Sequence, residues 1–123
     1  MASPSVNKAL KPRFKLWLAT ADGAGAVGDG RWELLKAVQR EGSLAAATEA
    51  LGISYRKAWG DLEKAEQALG FKLIEKHRGG ARGGDTQLTQ AGRDWVQAYG
   101  RFRVRVEEAI QEAFDSQLML AVG

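Results

Sequence analysis

Cysteine is missing from this chain, which removes disulfides and thiolate metal sites. Histidine is almost missing: His77 is the single one. A histidine metal site or a histidine-based catalytic pair needs a second such group or a carboxylate cluster, and none surrounds His77 in sequence. No catalytic residue, metal ligand or cofactor is expected, and no enzyme. Long apolar runs are absent too, since no stretch approaches the ~20 residues that span a bilayer. The first residues, MASPSVNKALKPRFKLWLAT, carry lysines without a continuous apolar segment, so they do not read as a secretory signal. A cytoplasmic protein with no membrane partner is the expectation. A strong charge of one sign is the last absence: 18 basic and 15 acidic residues leave +3.

What is present is one domain's worth of chain, 123 residues, 45% hydrophobic and 27% charged, as in ordinary soluble globular proteins. The basic charge is uneven. Lys8, Lys11, Arg13 and Lys15 face only Asp22 in residues 1–28, and residues 71–94 hold five basic against three acidic groups.

Residues 1–11 show no periodicity and are expected to be a flexible N-terminus. Arg13 to Thr20, RFKLWLAT, alternates Phe14, Leu16 and Leu18 with Lys15, Trp17 and Ala19, which predicts a short strand with one apolar face. A turn at Asp22–Gly25 and a few extended residues follow. RWELLKAVQR has helical spacing, starting at Asp29 or Gly30 and ending at Gly42. Ser43 caps a second helix, LAAATEAL, closed by Gly52, and Ser54 caps a third, YRKAWGDLEKAEQAL, closed by Gly70. The third helix has an apolar stripe at Tyr55, Ala58, Leu62, Ala65 and Leu69. FKLIEKH and Thr86-Gln87-Leu88 read as the arms of a hairpin around a glycine-rich tip. Thr89 caps a last helix from about Gln90 to Leu118.

Residues 43–70 predict a helix-turn-helix. Ala46 and Ala47 allow close helix approach, Gly52 supplies the positive φ that ends one helix, Ile53 plugs the angle, and Ser54 starts the next. With a hairpin after it, the arrangement is a winged helix-turn-helix: mostly α, with a small β-hairpin wing and a long C-terminal helix. On the reading helix Arg56, Lys57, Gly60 and Lys64 are the candidates for DNA contact. Arg56 suits a guanine edge or a phosphate, and Lys57 a phosphate. Gly60 would let DNA come close, or is a tolerated small residue. Tyr55 and Trp59, four apart, either complete the core or project toward DNA. Ser43 and Ser54 cap helices and are candidate phosphate donors, and Arg78 and Arg82 would reach DNA from the wing.

The long helix carries Trp95, Tyr99, Phe102, Val106, Ala109 and Ala113 at spacings of four and three, with Ile110, Phe114 and Leu118 beside them. That stripe is wider than one small core buries, so part of it is expected to pair two protomers. Trp95, Tyr99, Phe102, Val106, Ile110 and Phe114 are the expected dimerisation residues. The domain boundaries read as a winged helix-turn-helix over 12–92 and a dimerisation helix with its tail over 93–123.

Three other readings compete. Arg78-Gly79-Gly80 and Arg82-Gly83-Gly84 match RNA-binding triplets, but such tracts repeat in disordered chain and these sit between two strands. Gly79–Gly84 is not followed by Gly-Lys-Ser/Thr, which argues against a nucleotide loop. A protein–protein adapter is the third, because Asp61, Glu63 and Glu66 offset Arg56, Lys57 and Lys64 and leave the reading helix neutral.

"SLAAATEALGIS", "LEKAEQALGFKLIEKHRGG" and "LTQAG" together resemble the DNA-binding domain of LysR-type regulators, through Ser43, Ala46, Ala47, Leu51, Ser54, Leu62, Glu66, Leu69, Gly70, Leu73 and Leu88-Thr89-Gln90-Ala91-Gly92. "GISYRKAW" and "RGGARGG" resemble more narrowly the N-terminal domain of molybdate-responsive ModE-type repressors. "LWLATADGAGAVGDGRWELLKAV" is also similar to that family's first strand and helix. The resemblance spans roughly residues 13–115. It implies a winged-helix dimer on palindromic double-stranded operator DNA, joined through the long helix. Those repressors add C-terminal molybdate-binding domains; residues 1–123 are expected not to include them, as a stand-alone family member or as a fragment of something longer. The expected partners are therefore double-stranded DNA, a second copy of the chain, and either a molybdate-binding partner or none.

Overall fold

The computed structural model describes residues 10–77 and 85–119. Two compact units emerge among the described residues, one within 16–99 and one of 10–15 with 100–119. In the first unit, strand β1 (Trp17–Ala19) pairs antiparallel with β2 (Ala26–Gly28), Trp17 opposite Gly28. Three helices follow: α1 (Asp29–Glu41), α2 (Leu44–Leu51) and α3 (Tyr55–Leu69). Strand β3 (Ile74–His77) then pairs antiparallel with β4 (Asp85–Leu88), Ile74 opposite Leu88 and Lys76 opposite Thr86. Helix α4 (Gln90–Phe114) closes the order, followed by a π-helical turn, Asp115–Met119. This is a winged helix-turn-helix with a long C-terminal helix.

The helix ends obey local chemistry. Ser43 Oγ accepts the Ala46 N–H at 3.1 Å, and Ser54 Oγ accepts the Lys57 N–H at 3.2 Å. Each satisfies a donor the first helical turn cannot pair, and such caps contribute about 1 kcal/mol. Gly52 ends α2 at φ +68°, a left-handed conformation that costs most residues strain. The core lies where α1, α2 and α3 meet the hairpin. Leu35, Leu44, Leu62 and Leu73 are wholly buried there. Each such leucine stabilises by about 1.5–3 kcal/mol.

Two side chains fasten the hairpin to the helices. The Glu66 carboxylate, only 9% exposed, accepts the N–H groups of Leu73 (2.8 Å) and Ile74 (3.2 Å), with Lys72 Nζ at 3.5 Å. Thr89 Oγ1 donates to the Lys72 carbonyl at 2.7 Å and accepts the Gly92 N–H at 2.8 Å, which also caps α4. Gly92 itself lies against the Leu73 backbone, where a Cβ would overlap the Leu73 carbonyl.

Several expectations need correction. The strand expected over Arg13–Thr20 shortens to Trp17–Ala19, and its residues are all exposed, Trp17 by 63%. Its partner is three residues long because α1 starts at Asp29. The Leu16 N–H and C=O pair with the Asp29 carboxylate and N–H instead of a strand, both near 3 Å. Ile53 does not plug the interhelix angle: it is 44% exposed, and its N–H satisfies the Thr48 carbonyl at 3.0 Å. Tyr55 leaves the apolar stripe of α3, also 44% exposed, while Ala58, Leu62 and Ala65 are buried as expected. The last α-helix stops at Phe114, short of Leu118, as the chain opens into the π-helical turn.

In the second unit, Phe14 lies under the Arg103 guanidinium, 4.6 Å from ring to cation. Val106, Ile110 and Phe114 are half-buried, while Val104 and Leu118 are exposed.

Candidate nucleic-acid interface

Helix α3 is sorted by its 100° step into distinct lanes. Ala58, Leu62, Ala65 and Glu66 face inward. Arg56 and Gly60 lie on the opposite side. Arg56 is exposed, and among the described residues it has no ion pair. A Cβ built on Gly60 meets nothing within 4 Å, so nothing inside the chain requires glycine at this point. Toward β3 the rings of Tyr55 and Trp59 stack, centroids 6.4 Å apart and planes 21° off parallel. Trp59 packs against the core, and Lys76 Nζ of β3 stands 5.8 Å from its ring. Tyr55, Arg56, Trp59 and Lys76 line a hollow of about 320 Å³.

Toward α1 lies a charged lane. Lys57 Nζ donates to the Asp61 carboxylate at 3.1 Å. Arg31 of α1 reaches the other Asp61 oxygen at 3.6 Å and donates through Nε to the Asp61 carbonyl at 3.3 Å. Asp61 is thereby covered by two cations, and its pair with the exposed Lys57, at helical spacing of four, is worth only about 0.3–0.5 kcal/mol. Lys64 is placed apart from Arg56. It lines a different hollow with Thr20, Asp22, Arg31 and Gln67. There the Thr20 hydroxyl and the Ala24 N–H hold the Asp22 carboxyl below the usual carboxylate range.

The structure thus brings Ser54, Tyr55, Arg56, Lys57, Trp59 and Gly60 together at the exposed start of α3. Ser43 differs in being buried, although like Ser54 its oxygen caps a helix. Arg78 and Arg82, at the wing tip, lie outside the described residues, as does the glycine stretch on which the RNA-binding reading rests. Glu66 points inward, so the α3 surface is less acidic than its composition, and the adapter reading loses part of its basis. Tyr99 is 3% exposed; its hydroxyl donates to Asp29 (2.7 Å) and lies 3.1 Å from the Leu16 carbonyl. Its surface is spent within the domain, and Trp95 stacks on it at 4.9 Å. Sequence reasoning missed Lys76, Arg31 and the pairing of Asp61. The Lys57–Asp61 spacing of four was a readable signal; Arg31, thirty residues away, left none.

Among the described residues no group of three or more acidic or histidine side chains could hold a metal, and no helix is long and apolar enough to cross a membrane.

A capped helix exposing a basic, glycine-relieved N-terminal half, followed by an anchored hairpin, defines the winged helix-turn-helix class of DNA-binding regulatory domains. The family model described as bacterial regulatory helix-turn-helix protein, lysR family, matches residues 30–93, and the chain belongs to that family. Similarity to molybdenum proteins is consistent over the same region. The chain is 34% identical over 85 residues to the molybdenum transport protein ModE of Azotobacter vinelandii, covering 69% of this chain and 32% of that protein. It is 32% identical over 88 residues to the molybdenum-pterin-binding protein MopA of Rhodobacter capsulatus, covering 72% and 33%. It is 33% identical over 85 residues to the DNA-binding transcriptional dual regulator ModE of Escherichia coli K12, covering 69% and 31%. The match spans about a third of the length of each of these relatives.

Proposed function

We propose that this chain is a cytoplasmic, sequence-specific regulator of transcription that binds palindromic operators as a homodimer and is linked to molybdenum metabolism. The observation that carries the reading is the exposed start of α3, where Arg56 has no ion pair among the described residues and Gly60 leaves open space one turn on. Such a surface admits the edges of bases or the backbone of a duplex. Arg56 and Lys57 read or clamp the major groove, Ser54 adds a phosphate donor at the helix start, and the wing extends the contact.

The dimer is proposed on the second half of α4. Phe102, Val106, Ile110 and Phe114 repeat there along one helix face, continuing the line of Trp95. A symmetric dimer on a palindromic operator calls for two α3 helices about one DNA turn, ~34 Å, apart. The link to molybdenum rests on the relatives named above, with either a molybdate-binding partner or none.

Selection of bound DNA from a genomic library, with and without molybdate, tests the proposal. Half-sites in inverted repeat, one turn apart, are the expected result. Failure to retain any duplex at low salt sinks DNA binding itself. Sedimentation of Val106→Asp with Ile110→Asp tests the dimer: a monomer with weakened operator binding is expected, and an unchanged dimer rejects this face.

A further inference from the structure

The hollow between α3 and β3 is built differently from the rest of the DNA-facing surface. Its floor is aromatic, the stacked Tyr55 and Trp59. Trp59 is fixed from beneath by the core, so the floor does not depend on a ligand for its shape. Arg56 and Lys76 stand on its rims, one from the helix and one from the strand. Among the described residues no carboxylate lines it and neither cation is in an ion pair. Lys57, by contrast, is already engaged by Asp61.

Its position follows from the docking of the fold. With α3 in a major groove and the hairpin beyond it, the backbone strand dividing that groove from the next minor groove passes between α3 and β3. We propose that this hollow is a cradle for one sugar–phosphate segment of duplex DNA. The deoxyribose packs its apolar face on Tyr55 and Trp59, and the phosphates on its two sides pair with Arg56 and Lys76. The lining favours this occupant over an unpaired base. A base edge needs amide or carboxylate partners as well as a stacking face, and the lining residues supply none. Arg56 thereby becomes a backbone clamp, and its removal weakens all duplexes alike.

The inference rests on the DNA-binding reading, and its test separates the two. Binding of the full chain to its selected operator and to random duplex is measured over a salt series, for wild type, Lys76→Ala, Arg56→Ala and Tyr55→Ala. Each cation variant should bind both duplexes more weakly, with a salt slope lower by about 0.9, the signature of one lost phosphate. Tyr55→Ala should bind about fivefold more weakly at every salt concentration with an unchanged slope, because sugar packing releases no counterions. Neutral methylphosphonates placed one at a time along the operator backbone should reveal a position that weakens wild type but leaves Lys76→Ala unaffected. That coupling marks a direct contact, which a merely structural lysine does not produce. An unchanged slope in Lys76→Ala while wild type binds overturns the cradle. So does a loss of single-strand binding with duplex binding intact, which assigns the hollow to an unpaired base. If wild type binds no duplex at all, the DNA reading itself falls and the cradle with it.

Discussion

The two ends of α3 are made from similar residues and treated in opposite ways. At its start, Ser54 caps the helix and Ala58 and Trp59 hold it to the core, while Tyr55, Arg56 and Lys57 are exposed and Gly60 faces open space. At its end, Leu62 and Ala65 are wholly buried, and Glu66 is locked to two backbone N–H groups of the hairpin. The contrast shows how a small domain can leave one end of a helix exposed while the other end holds it in the core. Packing is concentrated at the end of the helix away from the face proposed for DNA, and the other end is left open for the proposed contact. The same division runs along α4, where Tyr99 belongs to the domain core and residues from Phe102 onward form the stripe proposed for the dimer.

The sharpest way to break the contrast is at the anchored end. Leu62→Ala should lower stability by about 2–5 kcal/mol in guanidinium unfolding, because it opens a cavity in the core. Glu66→Ala should cost about 2–4 kcal/mol, since it leaves the Leu73 and Ile74 amides unpaired. It should also loosen the wing, which amide exchange at Leu73 and Ile74 would report. Glu66 variants that unfold like wild type would show that the carboxylate does not anchor the helix. At the free end the effect should move from stability to binding: Arg56→Ala should leave the unfolding midpoint within about 0.5 kcal/mol and weaken duplex binding by ~1–3 kcal/mol. Gly60→Ala should split the two readouts. It should stabilise by about 1 kcal/mol, because alanine is the better helix former and meets nothing, while duplex binding weakens. Equal or tighter binding would mean the gap at Gly60 is not used by DNA. The smallest effect is expected for Asp61→Asn, about 0.3–0.5 kcal/mol in stability with stronger binding to random duplex, as Lys57 and Arg31 are released from their shared carboxylate. Titration at two salt concentrations would detect it.

Residue-level signals explain why some of this was legible in the chain and some was not. Ser43, Ser54, Gly52 and Gly70 act on backbone groups within four residues of themselves, so the helix limits they set were readable without any partner. Ala58, Leu62 and Ala65 declared their inward face by spacing. Tyr55 shares that spacing but not that burial, since a residue on the first turn faces the core only if another element covers it, and among the described residues none does. Ile53 turned outward for the same reason. Glu66 counted as surface acidity in one dimension and proved to be a buried clamp in three. Tyr99 meets Asp29 and Leu16 across 70 and 83 residues, contacts no periodicity can signal.

Local chemistry alone settled where α1, α2 and α3 begin and end and that a hairpin follows α3, because caps, glycines and apolar spacing act over one or two turns. Tertiary packing decided which side chains at the ends of those elements are free. It turned Tyr55 and Arg56 outward, set Lys76 opposite them from another strand, and drew Tyr99 inward. The reason is that exposure is a property of what covers a residue, and the covering element is usually distant in the chain.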